Sequence, residues 1–300
     1  MFICGPVQVL GGYNDNGEHL KGSELVTVSE KAVEGDGESE EQGTLCADGE
    51  DLPEMKFKRS GCCVVGLRGG KSEVCVYAFG GFSGVEPLKF VEVMKVCRGN
   101  SEGDEEQAAL QWSAWREVHM MASPRFGAAA VAVSGVPTEE TGGQGPGRIA
   151  VFGGFDGAEV VADCSVFTPD GDAACSGGHG QWNAMASMPV ARMSHAAVAF
   201  RGKVYVLGGS THKGKVLSSV DEWDPDANVW AKQPLVPPLP QPRKDAAAFV
   251  LDGELWVVGG EHQGGWLQDS LVWNGVQGAA WHPGPLLPSA RSGMAAVVVP

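Results

Sequence analysis

The chain has 300 residues, of which 43% are hydrophobic, and its formal net charge is −15. The apolar fraction is sufficient for a folded core and excludes a disordered chain. Because nucleic acids and anionic membranes are bound through basic surface, this acidic charge predicts that the protein binds neither.

Three further features concern the cellular compartment. No apolar run approaches the length that spans a bilayer. The N-terminal segment MFICGPVQVLGG lacks a basic region, and its apolar run is too short for a secretory signal. The eight cysteines are scattered and form no CxxC pair, so reduced thiols are expected rather than a disulfide framework. These features predict a cytoplasmic or nuclear protein.

In chain order, the first predicted element is an apolar strand, Val7 to Leu10, that ends at Gly11–Gly12. Tracts dominated by Glu, Asp and Gly follow over residues 29–54 and, further on, over residues 98–107. Such tracts bury too little apolar area to order themselves, so they are predicted to be loop insertions. They are interpreted either as solvated mobile loops or as acidic segments for a basic partner.

The apolar strand that stops at two glycines recurs four more times. The later pairs are Gly80–Gly81, Gly153–Gly154, Gly208–Gly209 and Gly259–Gly260. A continuous apolar run fits a strand buried on both faces, and paired glycine permits a positive-φ turn where strands crowd together. With 44 glycines and few amphipathic stretches of helix length, the chain is predicted to be all-β.

A second marker repeats out of phase with the first. An arginine, then any residue, then a small residue or Asp, precedes an apolar run at five places. These places are Arg59-Ser-Gly61, Arg125-Phe-Gly127, Arg192-Met-Ser194, Arg243-Lys-Asp245 and Arg291-Ser-Gly293. A tryptophan stands ten residues before three of these arginines and thirteen before Arg243. The regular spacing indicates a repeated structural unit.

Together these markers resemble the kelch repeat, the four-stranded unit of kelch-type β-propellers. The resemblance extends over nearly the whole chain, and residues 192–235 match the repeat best. It implies one all-β propeller domain over residues 1–300, with strands a to d in each repeat. Residues at the ends of the c strands and tryptophans of the d strands are expected to pack between adjacent blades. They are Met94, Phe167, Trp223 and Trp273 on the c strands, and Trp115, Trp182, Trp230 and Trp281 on the d strands.

The two ends of the chain predict how the ring closes. Arg291 begins an a strand, Met294 to Val299, that no b strand follows, whereas the chain starts with a b strand that no a strand precedes. Pairing of the C-terminal strand with the N-terminal hairpin would give a closed five-bladed propeller without open sheet edges. The alternative is an incomplete six-bladed ring in a truncated chain.

The resemblance also implies a functional face. In the kelch family, the d–a turns and the b–c loops line the mouth of the central channel and bind partner peptides. Equivalent positions in the repeats would place five arginines at this mouth, beside the residues that follow the glycine pairs and two loop histidines. The predicted partner-binding residues are Arg59, Arg125, Arg192, Arg243, Arg291, Tyr13, Phe82, Phe155, Ser210, His212, Glu261 and His262.

A ring of guanidinium groups in an acidic protein would attract anions, because bidentate arginine–carboxylate and arginine–phosphate pairs are strong and directional. We therefore expect a protein partner that presents an acidic or phosphorylated segment. In the alternative interpretation, each arginine pairs with the acids or backbone carbonyls of its own blade.

Enzymatic functions fit the sequence less well. The copper site of galactose-oxidase-like propellers requires tyrosines, but two of the three tyrosines, Tyr77 and Tyr205, lie inside b strands. The chain has no HExxH motif, nucleophile elbow or phosphate-binding glycine loop, and His195 is interpreted as structural. We expect a non-catalytic adaptor or recognition scaffold without a cofactor or metal. The alternatives are a propeller enzyme or sugar-binding protein with its site at the channel mouth, and a fragment of a larger multidomain protein.

Overall fold

The computed structural model describes residues 5–10, 23–31, 44–68, 73–98, 110–135, 145–170 and 180–293. Every regular element in these ranges is a β-strand, so the all-β prediction is confirmed. No helix within the same ranges has the length and apolar character that a membrane crossing requires.

The N-terminal sheet, which is numbered here as the first of the five predicted blades, has three antiparallel strands in the order β1-β2-β3. They are β1 (Gly5–Leu10), β2 (Ser23–Lys31) and β3 (Thr44–Leu52). In the five-bladed arrangement, these strands would be b, c and d of a repeat. The a strand predicted over residues 294–299 lies outside the described residues, and closure on five blades stays a prediction.

The same sheet corrects the prediction for the acidic tract at residues 29–54. β3 lies inside this tract and pairs with β2 along its whole length, from Ser23 opposite Leu52 to Lys31 opposite Thr44. Backbone pairing over nine residues therefore overrides the loop-like composition there. Of the second predicted insertion, residues 98–107, only Arg98 is described, and it ends a strand.

Four further blades follow in chain order, each with strands a to d from inside to outside. The second blade contains β4 (Cys63–Arg68), β5 (Glu73–Phe79), β6 (Val91–Arg98), β7 (Leu110–Trp112) and β8 (Arg116–Val118). Its β7 and β8 both pair with β6. The third blade contains β9 (Ala129–Gly135), β10 (Gly145–Phe152), β11 (Cys164–Thr168) and β12 (Gln181–Ala184).

The fourth blade is the most regular of the set. It contains β13 (Ala196–Phe200), β14 (Lys203–Leu207), β15 (Val220–Asp224) and β16 (Val229–Trp230). The fifth blade contains β17 (Ala247–Leu251), β18 (Glu254–Val258), β21 (Ser270–Trp273) and β22 (His282–Pro283). A two-stranded hairpin, β19 (Glu261–His262) and β20 (Gly265–Trp266), occupies its b–c loop. The arrangement is a β-propeller.

The core lies between neighbouring blades, as the c-strand aromatic residues predict. Phe167 meets Phe79 of the second blade with ring centroids 6.2 Å apart. Trp223 meets Phe152 of the third blade at 5.8 Å. Trp273 meets Phe200 of the fourth blade at 5.9 Å. Each contact is edge-to-face, the geometry that aromatic quadrupoles favour.

The d-strand tryptophans also link adjacent blades. The indole Nε1 atoms of Trp182, Trp230 and Trp281 each donate to a backbone carbonyl at 2.9 Å. The acceptors are His119, Ala186 and Pro237, which follow the d strand of the preceding blade. The tryptophans are therefore structural, as the sequence predicts.

The cysteines depart in part from the prediction of reduced thiols. Cys62, Cys63, Cys97 and Cys164 are free. The fully buried Cys75 is disulfide-bonded, so that prediction is wrong for this residue.

Candidate interaction face at the d–a turns and b–c loops

Four of the five repeated arginines close the glycine turn of their own blade. The Nη1 atoms of Arg59, Arg125, Arg192 and Arg243 donate to the carbonyl of the first glycine in the pair. The distances are 2.8 Å to Gly80, 2.9 Å to Gly153, 3.0 Å to Gly208 and 3.0 Å to Gly259. The sequence separation between the arginine and its glycine differs from blade to blade, at 21, 28, 16 and 16 residues. Each arginine nevertheless donates to the carbonyl of the equivalent glycine. This contact explains why the arginine and the glycine pair recur together.

The backbones of Arg125, Arg192, Arg243 and Arg291 connect neighbouring blades. The second glycine of each pair donates its N–H to the carbonyl of the arginine in the next blade. The bonds are Gly81 to Arg125 at 2.7 Å, Gly154 to Arg192 at 2.9 Å, Gly209 to Arg243 at 2.8 Å and Gly260 to Arg291 at 2.9 Å. Arg125, Arg192 and Arg243 thus each contact two glycine pairs, one through the side chain and one through the backbone.

Three of the buried arginines have a carboxylate partner. Arg59 pairs with Glu92, and Arg192 pairs with Asp221. Arg243 makes a bidentate contact with Asp269, with Nη2–Oδ2 at 2.9 Å and Nη1–Oδ1 at 3.1 Å. Burial lowers the pKa of the Arg192 guanidinium, and the charge of Asp221 opposes that shift. Buried charges that are paired in this way avoid much of their desolvation cost.

The accessibility predicted for these arginines therefore needs correction. Arg59 and Arg192 have no exposed surface, Arg243 is 1% exposed and Arg125 is 6% exposed. For Arg59, Arg125, Arg192 and Arg243, the alternative left open by the sequence accounts for the side-chain contacts, because each pairs with acids or backbone carbonyls of its own blade. Arg291 differs because it is exposed, and its Nη2 donates to Ser289 Oγ at 2.7 Å.

The residues two positions after the arginines form a chain of hydrogen bonds from blade to blade. Gly127 N–H donates to Gly61 at 3.0 Å, Ser194 to Gly127 at 2.7 Å, Asp245 to Ser194 at 2.7 Å, and Gly293 to Asp245 at 2.9 Å. All five residues have φ between 52° and 69°. This left-handed conformation explains why only small residues and Asp stand there. The five arginine segments are therefore equivalent and lie side by side.

Each residue that follows a glycine pair is held against the residue that follows an arginine. The antiparallel bridges join Phe82 to Ser60, Phe155 to Phe126, Ser210 to Met193, and Glu261 to Lys244. The predicted positions are thus brought together with partners that the sequence interpretation omitted. The signal for these partners was present, since they stand directly after the repeated arginines. Tyr13 lies outside the described residues.

The face formed by these residues differs from one side to the other. Phe82 and Phe126 are half-buried, with ring centroids 5.8 Å apart, and Phe155 is also half-buried. On the far side, Ser210 is buried, and Glu261 forms an ion pair with Lys244 at 3.3 Å. At the post-glycine positions, the second and third blades therefore carry Phe82 and Phe155, whereas the fourth and fifth carry Ser210 and Glu261.

The b–c loops add exposed groups to this face. His212 is exposed, and His262 is half-buried on β19. Trp266, opposite Glu261 in the β19–β20 hairpin, is 66% exposed. The sequence interpretation missed Trp266 because it belongs to no repeat marker; an aromatic residue shortly after a glycine pair is the signal that points to it.

His195 directly precedes β13, the a strand of the fourth blade, and is buried. Burial, and then the nearby charge of Arg192, lower the pKa of its imidazole to about 3. It is therefore neutral near pH 7, as a packed structural histidine would be.

Two observations bear on chemistry elsewhere in the molecule. Within the described residues, no group of three or more His, Cys, Asp and Glu side chains is placed to hold a metal ion. A cavity of about 230 Å³ lies between the third and fourth blades, lined by Phe200, Arg201, Lys203 and Asp226 among others. It lies at the a–b and c–d turns, at the opposite ends of the strands from the loop face.

Comparisons with known proteins agree with this architecture. A family model described as the KLHDC2/KLHL20/DRC7 Kelch-repeats domain matches residues 75–300. Beta-scruin of Limulus polyphemus is 32% identical over 143 residues, which are 44% of this chain and 14% of that protein. Kelch-like protein 33 of Homo sapiens is 42% identical over 79 residues, 26% of this chain and 14% of that protein. The matches therefore span only a small part of these relatives.

A solved structure extends the comparison to the whole fold. The structure of YjhT superposes with a TM-score of 0.58 over 98% of this chain and 88% of that chain. The sequence identity is 15%, so this likeness concerns the fold alone.

Proposed function

Because the chain belongs to the kelch-repeat family, we propose that it is a non-catalytic protein-interaction module, an adaptor or recognition scaffold. Its partner segment binds the face made by the d–a turns and b–c loops. The observation that carries this proposal is the clustering of exposed and half-buried side chains there, held by the bridges between post-arginine and post-glycine residues. The names of the similar proteins, Kelch-like protein 33 and beta-scruin, identify no ligand.

The composition of the face supports a protein partner. Interface energy in proteins concentrates in aromatic and arginine side chains, which bury area and donate directed hydrogen bonds. The face offers Trp266, Phe126 and Phe155 as aromatic groups and Arg291 as an exposed cation. We propose that the bound segment is acidic or phosphorylated, because a local cation in a protein of charge −15 selects anions at that place.

The face can be tested by selecting binders from a phage-displayed library of random peptides, using the full chain as bait. We expect the selected peptides to lose binding when Trp266→Ala is combined with Phe155→Ser. The matched control is Asp226→Lys, an exposed position in a c–d turn at the other end of the strands. This control should bind the peptides as the wild type does.

Thermal melting of both variants checks that each remains folded. If the peptides bind the loop-face variant as they bind the wild type but no longer bind Asp226→Lys, the interaction lies on the opposite face and the proposal is wrong.

A further inference from the structure

The third blade departs from the arrangement of the other arginine-bearing blades. Arg125 makes two hydrogen bonds among the described residues, both from Nη1, to the carbonyls of Gly153 and Asp163 at 2.9 Å each. Unlike Arg59, Arg192 and Arg243, it has no ion pair with a carboxylate in that part of the chain. Its Nη2 and Nε atoms therefore have no acceptor within the part of the chain that the structure describes.

Strand register explains the difference. Glu92 lies opposite Ala78, and Asp221 lies opposite Val206, in each case two residues before the glycine pair. The equivalent position in the third blade, opposite Val151, holds Ser165. A serine hydroxyl cannot neutralise a guanidinium, so the third blade lacks the acid that the second and fourth blades supply. The fifth blade uses Asp269 instead.

The acids near Arg125 do not replace the missing partner. Asp163, which stands where the fifth blade has Asp269, is exposed, and only its backbone carbonyl contacts Arg125. Asp156 Oδ1 accepts the N–H groups of Ala158 and Glu159, at 2.8 Å and 2.9 Å. A buried charge without a close partner is costly, so an anion that can reach it is bound favourably. Arg125 retains 6% exposure, whereas Arg59 and Arg192 retain none.

The surroundings of Arg125 on the face are aromatic. The adjacent Phe126 exchanges two backbone hydrogen bonds with Phe155, at 2.9 Å and 2.8 Å. The Phe126 ring covers Gly61 so closely that a Cβ at position 61 would collide with it. The b–c loops of the second and third blades also adjoin, because a Cβ at Gly157 would lie 3.7 Å from Pro87 Cγ. A cation thus lies beside a continuous apolar surface.

Resting on the proposed function, we infer that the third blade holds an anion subsite of this face, distinct from the exposed Arg291. The carboxylate of a partner's Asp or Glu binds the Nη2 and Nε edge of Arg125, and a neighbouring apolar side chain of the partner packs on Phe126 and Phe155. The repeated arginines are therefore unequal: three stabilise their blades, and Arg125 also binds the partner.

The test uses the peptides selected on the full chain. They should contain Asp or Glu next to an aromatic or aliphatic residue, and changing that acid to its amide should weaken binding at least about tenfold, as expected for a lost charged pair. Ser165→Asp supplies the missing internal carboxylate. It should weaken acidic-peptide binding to a similar extent while keeping or raising the melting temperature. Asp163→Asn removes the nearest competing acid from an exposed position and should strengthen binding.

The outcomes separate the two proposals. If no peptide binds the loop face, both the proposed function and this subsite are wrong. If the peptides that bind that face are neutral, the acidic or phosphorylated partner segment proposed above is wrong together with the subsite. If they are acidic but unaffected by Ser165→Asp, the subsite alone is wrong. Should Ser165→Asp fail to fold, weaker or unchanged binding by Asp163→Asn overturns the subsite. A peptide with phosphoserine in place of the acid that binds about tenfold tighter overturns the assignment to a carboxylate.

Discussion

The backbone N–H of Ser194 donates to the carbonyl oxygen of Gly127 at 2.7 Å, and both residues adopt a left-handed backbone, with φ of 55° and 62°. This bond is one step of the chain that joins Gly61 to Gly293 through successive blades. The geometry depends on backbone conformation, and single substitutions can therefore test it.

Gly127→Val should lower the free energy of unfolding by about 1–3 kcal/mol, because a β-branched residue at positive φ is strained. Its Cβ would also lie 3.3 Å from Ser194 N. Gly127→Asn is the matched control, since Asn tolerates the left-handed region, and it should cost much less. Urea denaturation measures both. Equal losses of unfolding free energy for the two variants would show that strain at positive φ does not cause the destabilisation.

Asp221→Ala should destabilise the protein by about 3–5 kcal/mol, because it leaves the fully buried Arg192 guanidinium without its carboxylate. Asp226→Ala, in an exposed turn two residues beyond the same strand, should change stability by less than about 0.5 kcal/mol. The two variants can be compared by chemical denaturation at pH 7. A small effect at position 221 would mean that solvent reaches Arg192.

His195 makes stability depend on pH. Its pKa is about 3 in the folded protein against 6.5 for the free side chain, so the unfolded state binds more protons between these values. Stability should therefore fall as the pH drops from 7, and His195 should account for about 2 kcal/mol of the loss by pH 5.

His195→Leu removes this contribution and should reduce the pH 7 to pH 5 difference by that amount. Unfolding free energies from urea titrations at both pH values provide the measurement. An unchanged difference would mean that the imidazole is already protonated, or hydrated, in the folded state.

Trp266→Ala should weaken peptide binding at the loop face at least about tenfold while the melting temperature stays nearly constant, because exposed aromatic residues at interfaces contribute mainly to binding. Val229→Ala provides a matched control, since Val229 is a 53% exposed apolar residue on an outer strand. Its affinity for the peptides should equal that of the wild type in a calorimetric titration. Loss of binding in the control alone would exclude the β19–β20 hairpin as a contact.

Much of the architecture could be predicted because it depends on local patterns. The apolar runs before the glycine pairs are b strands, and Phe167, Trp223 and Trp273 pack between blades. The small residues after the arginines have the positive φ that their type suggests. Each of these features follows from one strand or one turn, where the residue type and the backbone conformation are directly linked.

The accessibility of the arginines could not be predicted in this way. The repeat marker predicts where Arg192 lies in its blade. The direction of its side chain, however, depends on Asp221, which is 29 residues away in the sequence. The corresponding acids, Glu92 and Asp269, differ in type or in strand position. Because no constant spacing relates arginine to acid, the pairing becomes visible only when strand register is known. For the same reason, the sequence alone does not show that Ser165 stands where the second and fourth blades have an acid.

The double role of the repeated arginines bears on how the domain comes apart. Arg192 donates to Gly208 in its own blade and accepts from Gly154 in the preceding one. Loosening of either blade must therefore break bonds in its neighbour, and partial openings should spread from blade to blade instead of remaining confined to one. Amide protons of the second glycines, from Gly81 to Gly260, should consequently exchange with solvent at similar slow rates, as members of one cooperative unit.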